Sequence, residues 1–359
     1  METVERDYSP KGVQFYYVYK RLAHPEFNGY IDPHTLEERL MHVREAGRSL
    51  GSEIMWLADT MASDLKHALG DHPNPAFVVD PDGVIIAARQ WSDPDALRED
   101  LENAVGAVDN PTRVEDLDMP ATPPTEIAPS GVVPRLQRPD RMRAVVVAPA
   151  PSDDVHYAKL RAEATSSLLE DGSGDLYLGF FVDPIHRVHW NNLVAPIEFG
   201  ISAPEGVTVT PNHGVGPEVE AASDVDPREF LVSVTGADAD TALDITVRYF
   251  GCSDEQGWCR AITQNYSVRL SADLDAGRAM TGRRGGPPNG FLFSRPNPEA
   301  DAVVDLIFVA DENGDDRLTR DEAPYRLRQS FESIDANGDG HIDREEARAH
   351  VDEATPSAP

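Results

Sequence analysis

Two twelve-residue stretches in the last part of the chain carry oxygen-bearing side chains at a regular spacing. DENGDDRLTRDE begins at Asp311, and DANGDGHIDREE begins twenty-four residues later at Asp335. Each has Asp or Asn at positions 1, 3 and 5, a branched apolar residue at position 8 and Glu at position 12. Ca²⁺ takes about six to eight oxygen ligands at about 2.3–2.6 Å, supplied by carboxylates that alternate with backbone carbonyls. The spacing therefore predicts two calcium sites.

The position of each residue in its loop assigns the predicted calcium ligands. In the first loop they are Asp311, Asn313, Asp315, Arg317 and Glu322. In the second loop they are Asp335, Asn337, Asp339, His341, Asp343 and Glu346. Arg317 and His341 stand at position 7, where the ligand is the backbone carbonyl and not the side chain.

Position 6 distinguishes the two loops. A sharp turn at this position favours a positive φ, which Gly adopts freely and Asp only at some cost. The first loop has Asp316 at position 6 and the second has Gly340. We therefore expect calcium to bind the first loop more weakly than the second.

On these residues, the region 299–353 resembles an EF-hand pair. The stretch 323–334 between the loops has the length of one exiting and one entering helix. The two residues at position 8, Leu318 and Ile342, are expected to pair between the loops. A small helical core is predicted from Val303, Val304, Ile307, Phe308 and Phe331. The alternative interpretation is a pair of solvated acidic turns without metal.

Length and charge limit what the rest of the chain can be. A chain of 359 residues has room for two or three domains. It carries 63 acidic and 32 basic residues, and 46 of the acidic ones precede residue 299, so the calcium loops alone do not account for the acidity. Such a chain repels nucleic acid and anionic membranes, which argues against both as partners. No run of eighteen apolar residues predicts a membrane span.

The region 1–108 alternates strand and helix patterns in the order β-α-β-α-β-β-α. VQFYYVY at 13–19 predicts a strand buried on both faces. Asp32 and Pro33 predict an N-cap and first turn, and apolar residues at helical spacing follow from Leu36. The remaining elements are predicted as a strand at 53–58, a helix at 62–69, a hairpin at 76–80 and 84–88, and a helix at 93–105.

This order, with Pro75 before the third strand and the VVDPDGVI hairpin, resembles the thioredoxin fold. Residues 15–30, FYYVYKRLAHPEFNGY, look like the deiodinase and redoxin branch, with Ala23, His24, Gly29 and Tyr30 on its signature. The resemblance implies a truncated thioredoxin-like domain without its first strand and nucleophile. It also implies a cis-Pro at Pro75. A packed histidine at His24 and a plain turn proline at Pro75 are the alternatives.

The N-terminal sequence METVERDYSP lacks the charged-then-apolar layout of a signal peptide. The missing strand, the missing nucleophile and the missing signal all fall at this one end. We therefore expect that the start was assigned late or that the chain is a fragment. A signal and a Cys-containing strand are expected upstream of Met1.

Composition divides the remaining chain. A Pro-rich linker is predicted at 109–140 and a Gly/Arg/Pro linker at 276–298, with a disordered tail at 354–359. Between the linkers, short apolar runs separated by Gly, Pro, Asn and Asp turns predict an all-β, immunoglobulin-like sandwich at 141–275. One helical stretch is predicted inside it at 157–169.

Two cysteines, Cys252 and Cys259, lie in RYFGCSDEQGWCRAITQNYSVRL and are the only ones in the chain. Two cysteines permit one bridge or one redox pair. The segment resembles the N-terminal domain of the thiol:disulfide interchange protein DsbD. That resemblance implies a pair cycling between dithiol and disulfide with a thioredoxin-like partner, whereas the alternative is a static structural disulfide. His186 and His189 are interpreted as structural because no further metal ligands accompany them.

Two functions follow for this multidomain α/β, all-β and α chain. The first is an extracytoplasmic calcium-binding protein whose EF-hand pair accompanies thioredoxin-like and DsbD-like domains. The second is a thiol–disulfide oxidoreductase using Cys252 and Cys259, with calcium as a structural modulator. Extracellular calcium and a disulfide both point to the periplasm or another extracytoplasmic compartment.

Overall fold

The chain forms two compact units, Met1–Phe293 and Ser294–Pro359. A computed structural model describes residues 1–22, 25–26, 29–120, 122, 126–139, 142–152, 154–239, 241–277, 308–311, 317–320, 322–323, 328, 331–344, 346–347 and 350. Across these residues, no helix combines the length and apolar character needed to cross a membrane. The fold is mixed and rich in β-structure.

The first unit begins with short helices and strands in the predicted order. They are α1 (Glu2–Tyr8), β1 (Tyr16–Tyr19), α2 (Leu36–Leu50), β2 (Met55–Ala58), α3 (Asp64–Ala68), β3 (Ala76–Val79), β4 (Ile85–Arg89) and α4 (Pro94–Val105). β1 and β2 pair in parallel, and β3 and β4 form an antiparallel hairpin. The order β-α-β-α-β-β-α predicted from the sequence is confirmed from β1 to α4.

Helix capping explains where α2 and α4 begin. Asp93 caps α4 as predicted, because its side chain accepts the N–H groups of Asp95 and Ala96. The cap predicted for α2 at Asp32 is wrong. Thr35 caps α2 and accepts the N–H of Glu38, whereas the Asp32 carboxylate is bound by Arg21.

Two further predictions for this region are wrong. β1 is not buried on both faces, because Tyr16 and Val18 remain 49% and 38% exposed and only the alternate residues pack inward. The bond before Pro75 is not cis, since among the described residues the one cis bond is Thr210–Pro211. His24 lies outside the described residues.

Eleven strands form the large sheet of the first unit. They are β5 (Met142–Pro149), β6 (Ala158–Thr165), β7 (Ser173–Val182), β8 (His189–Asn191), β9 (Glu198–Ser202), β10 (Thr208–Thr210), β11 (His213–Val215), β12 (Ser223–Asp224), β13 (Arg228–Thr235), β14 (Ala242–Ser253) and β15 (Trp258–Ala272). The all-β character predicted for this region is confirmed.

β5 joins the two halves of this sheet. Its first three residues pair with β6, and Val145 onward pair with β15. One half continues through β7 and β13 to β10, and the other runs through β14 to β8 and β9. Leu178 of the first half and Ile245 of the second belong to one buried cluster, so both halves enclose a common core.

The helix predicted at 157–169 is wrong over most of its length. This segment is the strand β6, followed by the short helix α5 (Ser166–Asp171). Ala158, Leu160 and alternate residues face the core, while the intervening Lys159 and Arg161 are also buried. The alternation of apolar and charged residues from Ala158 to Ala164 is the period of a strand, and it was the signal that predicts β6.

The second unit contains two short strands and short helical turns. They are a 3₁₀ turn (Phe308–Ala310), β16 (Arg317–Thr319), α6 (Phe331–Ile334) and β17 (His341–Asp343). β16 and β17 are antiparallel, and Leu318 lies opposite Ile342 as predicted. Phe308, Phe331 and Ile334 pack with this pair. Val303, Val304 and Ile307 lie outside the described residues.

Candidate functional site

The second predicted calcium loop is folded around the carboxylate of its first residue. Asp335 Oδ1 accepts the N–H groups of Gly338 and Asp339 at 2.8 and 3.1 Å, and Oδ2 accepts that of Gly340 at 2.9 Å. Gly340 has a φ of 83°, the conformation that favours Gly at position 6. The backbone therefore wraps around the side chain at position 1.

The last residue of this loop closes it. Glu346 Oε1 accepts the N–H of Asn337 at 3.0 Å, and Oε2 accepts the N–H of Asp343 at 3.1 Å. The N–H of Glu346 in turn donates to Asp343 Oδ1 at 2.9 Å. The side chain at position 12 thus reaches back across the loop to position 3.

The first predicted loop repeats part of this arrangement. Glu322 Oε2 accepts the Thr319 N–H at 3.0 Å, and the Glu322 N–H donates to Thr319 Oγ1 at 3.3 Å. Positions 9 and 12 of the two loops are therefore linked in the same reciprocal way. Asp311 at position 1 is buried, whereas Asn313 and Asp315 lie outside the described residues.

The donor set of the second loop suits a hard cation. Carboxylates and an amide oxygen occupy positions 1, 3, 5, 9 and 12 within a loop whose backbone carbonyls are also available. The Arg317 guanidinium lies 3.8 Å from the Asp339 carboxylate, and both side chains are exposed. The loop pattern assigns only the backbone carbonyl of Arg317 as a ligand, but the Arg317 side chain lies beside the predicted ligand Asp339.

Cys252 and Cys259 form a disulfide between adjacent strands. The two residues face each other directly in the pairing of β14 with β15. Cys252 is only 3% exposed, while Cys259 lies at the surface. The bond therefore links a buried residue to an exposed one.

His186 and His189 have different surroundings. His186 donates from Nε2 to Glu38 Oε1 at 3.1 Å. His189 lies opposite Cys252 in the pairing of β8 with β14. The interpretation of His189 as a purely structural residue therefore does not account for its position next to the disulfide.

The first unit contains a buried cluster of charged side chains that the sequence did not predict. Lys159 is fully buried, contacts the Glu38 carboxylate and lies 3.7 Å from Asp183. His42 Nε2 also lies 3.7 Å from Asp183. The sequence contained one signal for this cluster. Charged or titratable residues recur every four positions, which is the spacing of one helix face, at His34, Glu38 and His42.

Burial and neighbouring charges shift the pKa values in this cluster. Burial, with the charge of Lys159, lowers the pKa of His34 to about 3. Burial alone raises the pKa of Glu38, but the hydrogen bond from His186 and the charge of Lys159 hold it well below its usual range. The cluster therefore keeps His34 neutral and Glu38 ionised near neutral pH.

A second charged network connects distant parts of the first unit. Arg135 binds Glu229 through Nε and Glu26 through Nη2 at 2.7 and 2.9 Å. Arg138 binds Glu26 at 2.8 Å and lies over the ring of Tyr177 at 3.7 Å. The predicted linker 109–140 is thus held against the large sheet over its described C-terminal part.

A third group combines a histidine with two carboxylates. His67 lies 2.7 Å from Asp71 and 3.0 Å from Asp275 through its two ring nitrogens. The hydrogen bond with Asp71, together with both carboxylate charges, raises the pKa of His67. Lys66 also binds Asp275 at 2.6 Å, so cationic side chains already neutralise this group.

Comparisons with known proteins gave no relative. No protein-family model, no curated protein and no solved structure matches the chain. The functional interpretation therefore depends on the geometry described above.

Proposed function

We propose that the protein binds calcium through the two loops of its second unit. The carrying observation is the second loop, in which Asp335 gathers three backbone N–H groups and Glu346 reaches back to position 3. A loop ordered in this way loses little conformational freedom when an ion enters. The residues that hold calcium are those predicted above for each loop, in an EF-hand pair.

A calcium titration of the full chain tests this proposal. Glu346→Gln is expected to weaken binding at the second loop by more than about tenfold, since even outer-shell partners of metal ligands are worth about 10- to 100-fold. Glu332→Gln is the matched control, because Glu332 is exposed and lies outside both loops. Unchanged calcium binding in Glu346→Gln would refute the assignment.

The two loops should differ in affinity. Glu322→Gln leaves only the second loop intact and Glu346→Gln only the first, so calorimetric titration of each variant reports one site. Because Asp316 replaces Gly at position 6, the first site is expected to be weaker. Equal affinities in the two variants would contradict this.

We further propose thiol–disulfide exchange at Cys252 and Cys259 as a second function. It is supported by the exposed position of Cys259, since an attacking thiolate needs access to one sulfur. In this proposal the first unit combines a truncated thioredoxin-like domain at 1–108 with an immunoglobulin-like, DsbD-like domain at 141–275. A static disulfide is the competing interpretation.

The reduction potential separates the two interpretations. Equilibration of the full chain with glutathione buffers measures the potential of the pair, and Cys252→Ser serves as the control without a disulfide. A potential below about −300 mV indicates a structural bridge, whereas a higher one indicates an exchangeable pair. We also propose an extracytoplasmic compartment such as the periplasm, because disulfides form and persist in oxidising surroundings.

A further inference from the structure

Three side chains stand in a row across three neighbouring strands of the large sheet. The register pairs His189 with Cys252 and Cys252 with Cys259. Directly opposed residues of antiparallel strands place their Cβ atoms about 4.5–5.5 Å apart on the same face. Trp190 and Tyr249 pack in the core, so this row lies on the other face. The imidazole of His189 is therefore next to the buried half of the disulfide.

The hydrogen bonds of His189 define the role of each ring nitrogen. Nδ1 lies 3.0 Å from the carbonyl oxygen of Trp190, and because a carbonyl only accepts, Nδ1 carries a hydrogen. Nε2 lies 3.5 Å from the carboxylate of Asp254. Nε2 is thus the nitrogen that gains and loses a proton.

The different exposure of the two cysteine residues determines which sulfur an incoming thiolate attacks. Cys259 is exposed and is the sulfur that an incoming thiolate reaches, whereas Cys252 is 3% exposed. Attack on Cys259 makes Cys252 the leaving sulfur. A thiolate released at a buried position is costly unless a proton or a positive charge is close to it.

We propose that His189 is the acid–base group for disulfide exchange at Cys252 and Cys259, an inference that rests on the exchange function proposed above. The co-reactant is an external dithiol. One of its thiolates attacks Cys259 Sγ and forms a mixed disulfide with it. The bond between the two cysteines breaks, and its electron pair goes to Cys252 Sγ, which takes the proton from Nε2 of protonated His189.

The second half of the exchange reduces Cys259 and oxidises the external dithiol. The second thiolate of the dithiol attacks its partner sulfur in the mixed disulfide, forms a disulfide within the reductant and releases Cys259 as a thiolate. In the oxidising direction, neutral His189 removes the proton from Cys252. The thiolate of Cys252 then attacks the mixed disulfide at Cys259.

The charged groups around His189 are few in the described part of the chain. The Asp254 carboxylate is 83% exposed, so solvent screens its charge. Arg187, two residues before His189, is paired with Glu255 at 3.0 Å. His189 therefore has one screened carboxylate as its ion-pair partner among the described contacts.

The experiment measures the rate at which dithiothreitol reduces the disulfide of the full chain, from acid to mildly alkaline pH. His189→Gln is expected to slow reduction by about tenfold or more near neutral pH, within the range of acid–base catalysis. It should also remove the histidine inflection from the rate profile. His213→Gln is the matched control, because His213 is exposed on β11 and lies apart from the row.

Two results of this experiment would contradict the inference. A disulfide in the unaltered protein that resists dithiothreitol overturns both the exchange function and the role of His189. A reducible disulfide with the same rate and profile in His189→Gln overturns the role of His189 alone.

Discussion

Leu318 and Ile342 face each other in the pairing of β16 with β17, and both side chains are fully excluded from solvent. Leu318 follows Arg317, and Ile342 lies between His341 and Asp343, and all three of these neighbours are predicted calcium ligands. This contact links the two loops through their buried side chains, so we expect a change in one loop to affect the other.

Ile342→Ala is expected to destabilise the second unit by about 2–5 kcal/mol, the usual cost of deleting buried methylenes. Because the pair joins the loops, calcium binding should weaken at both sites. Urea unfolding and a calcium titration of the same variant measure the two effects. Arg320→Ala is the control, since Arg320 is exposed and contacts Glu332 and the Phe331 ring rather than Leu318 or Ile342. Loss of binding at the second site alone would contradict the link.

Arg317→Gln is expected to strengthen calcium binding at the second loop. The guanidinium lies 3.8 Å from the Asp339 carboxylate, so it competes with an incoming cation for the same charge. An exposed ion pair is worth about 0.2–1 kcal/mol, which corresponds to roughly a 1.4- to 5-fold gain in affinity. Calorimetry in the Glu322→Gln background isolates the second site. Arg320→Gln removes an equivalent charge away from the ligands, and an equal gain in that control would indicate a general charge effect.

Lys159→Met is expected to destabilise the first unit by about 3–5 kcal/mol, because it leaves Glu38 and Asp183 buried without their shared cation. Denaturant unfolding followed by tryptophan fluorescence measures the loss. Lys11→Met is the control: Lys11 is exposed and donates to carbonyls at the end of α4, a contact worth about 0.3–1 kcal/mol. Similar losses of unfolding free energy in the two variants would show that the buried charge cluster contributes no more stability than an exposed contact.

The stability of the first unit should fall on acidification. The pKa of His34 is lowered from 6.5 to about 3. The unfolded chain therefore takes up a proton below about pH 6.5, whereas the folded chain does not until about pH 3. The stabilisation is fully present above this window and is lost through it, by about 1.4 kcal/mol per pH unit.

Urea unfolding at about pH 7 and about pH 5 tests this dependence. His34→Gln should have a smaller change in unfolding free energy between the two pH values than the unaltered protein. His213→Gln removes an exposed histidine and should keep the full dependence. A stability that rises on acidification would show the sign to be wrong.

Local signals made much of the α/β region predictable. Asp93 caps α4, and the turn between β3 and β4 follows from its own Pro, Asp and Gly residues. The same reasoning misplaced the start of α2, because Asp32 is engaged by Arg21 and Thr35 acts as the cap. It also misread β6, although apolar and charged residues alternate from Ala158 to Ala164 as they do in a strand.

Contacts between distant segments explain what the sequence could not predict. Glu26 binds Arg138, and His186 binds Glu38, across separations of 112 and 148 residues. Such pairs depend on how the sheet and the helices pack, and no local pattern encodes them. The cysteine pair was apparent from spacing, but its neighbour His189 came from the register of β8 on β14.

β5 changes partners between Ala144 and Val145, pairing first with β6 and then with β15. Because β6 and β15 pair with different stretches of β5, the hydrogen-bonded sheet is continuous only through the covalent backbone of this one strand. A cut in the backbone between Ala144 and Val145 would therefore leave each half of the sheet with only its own part of β5.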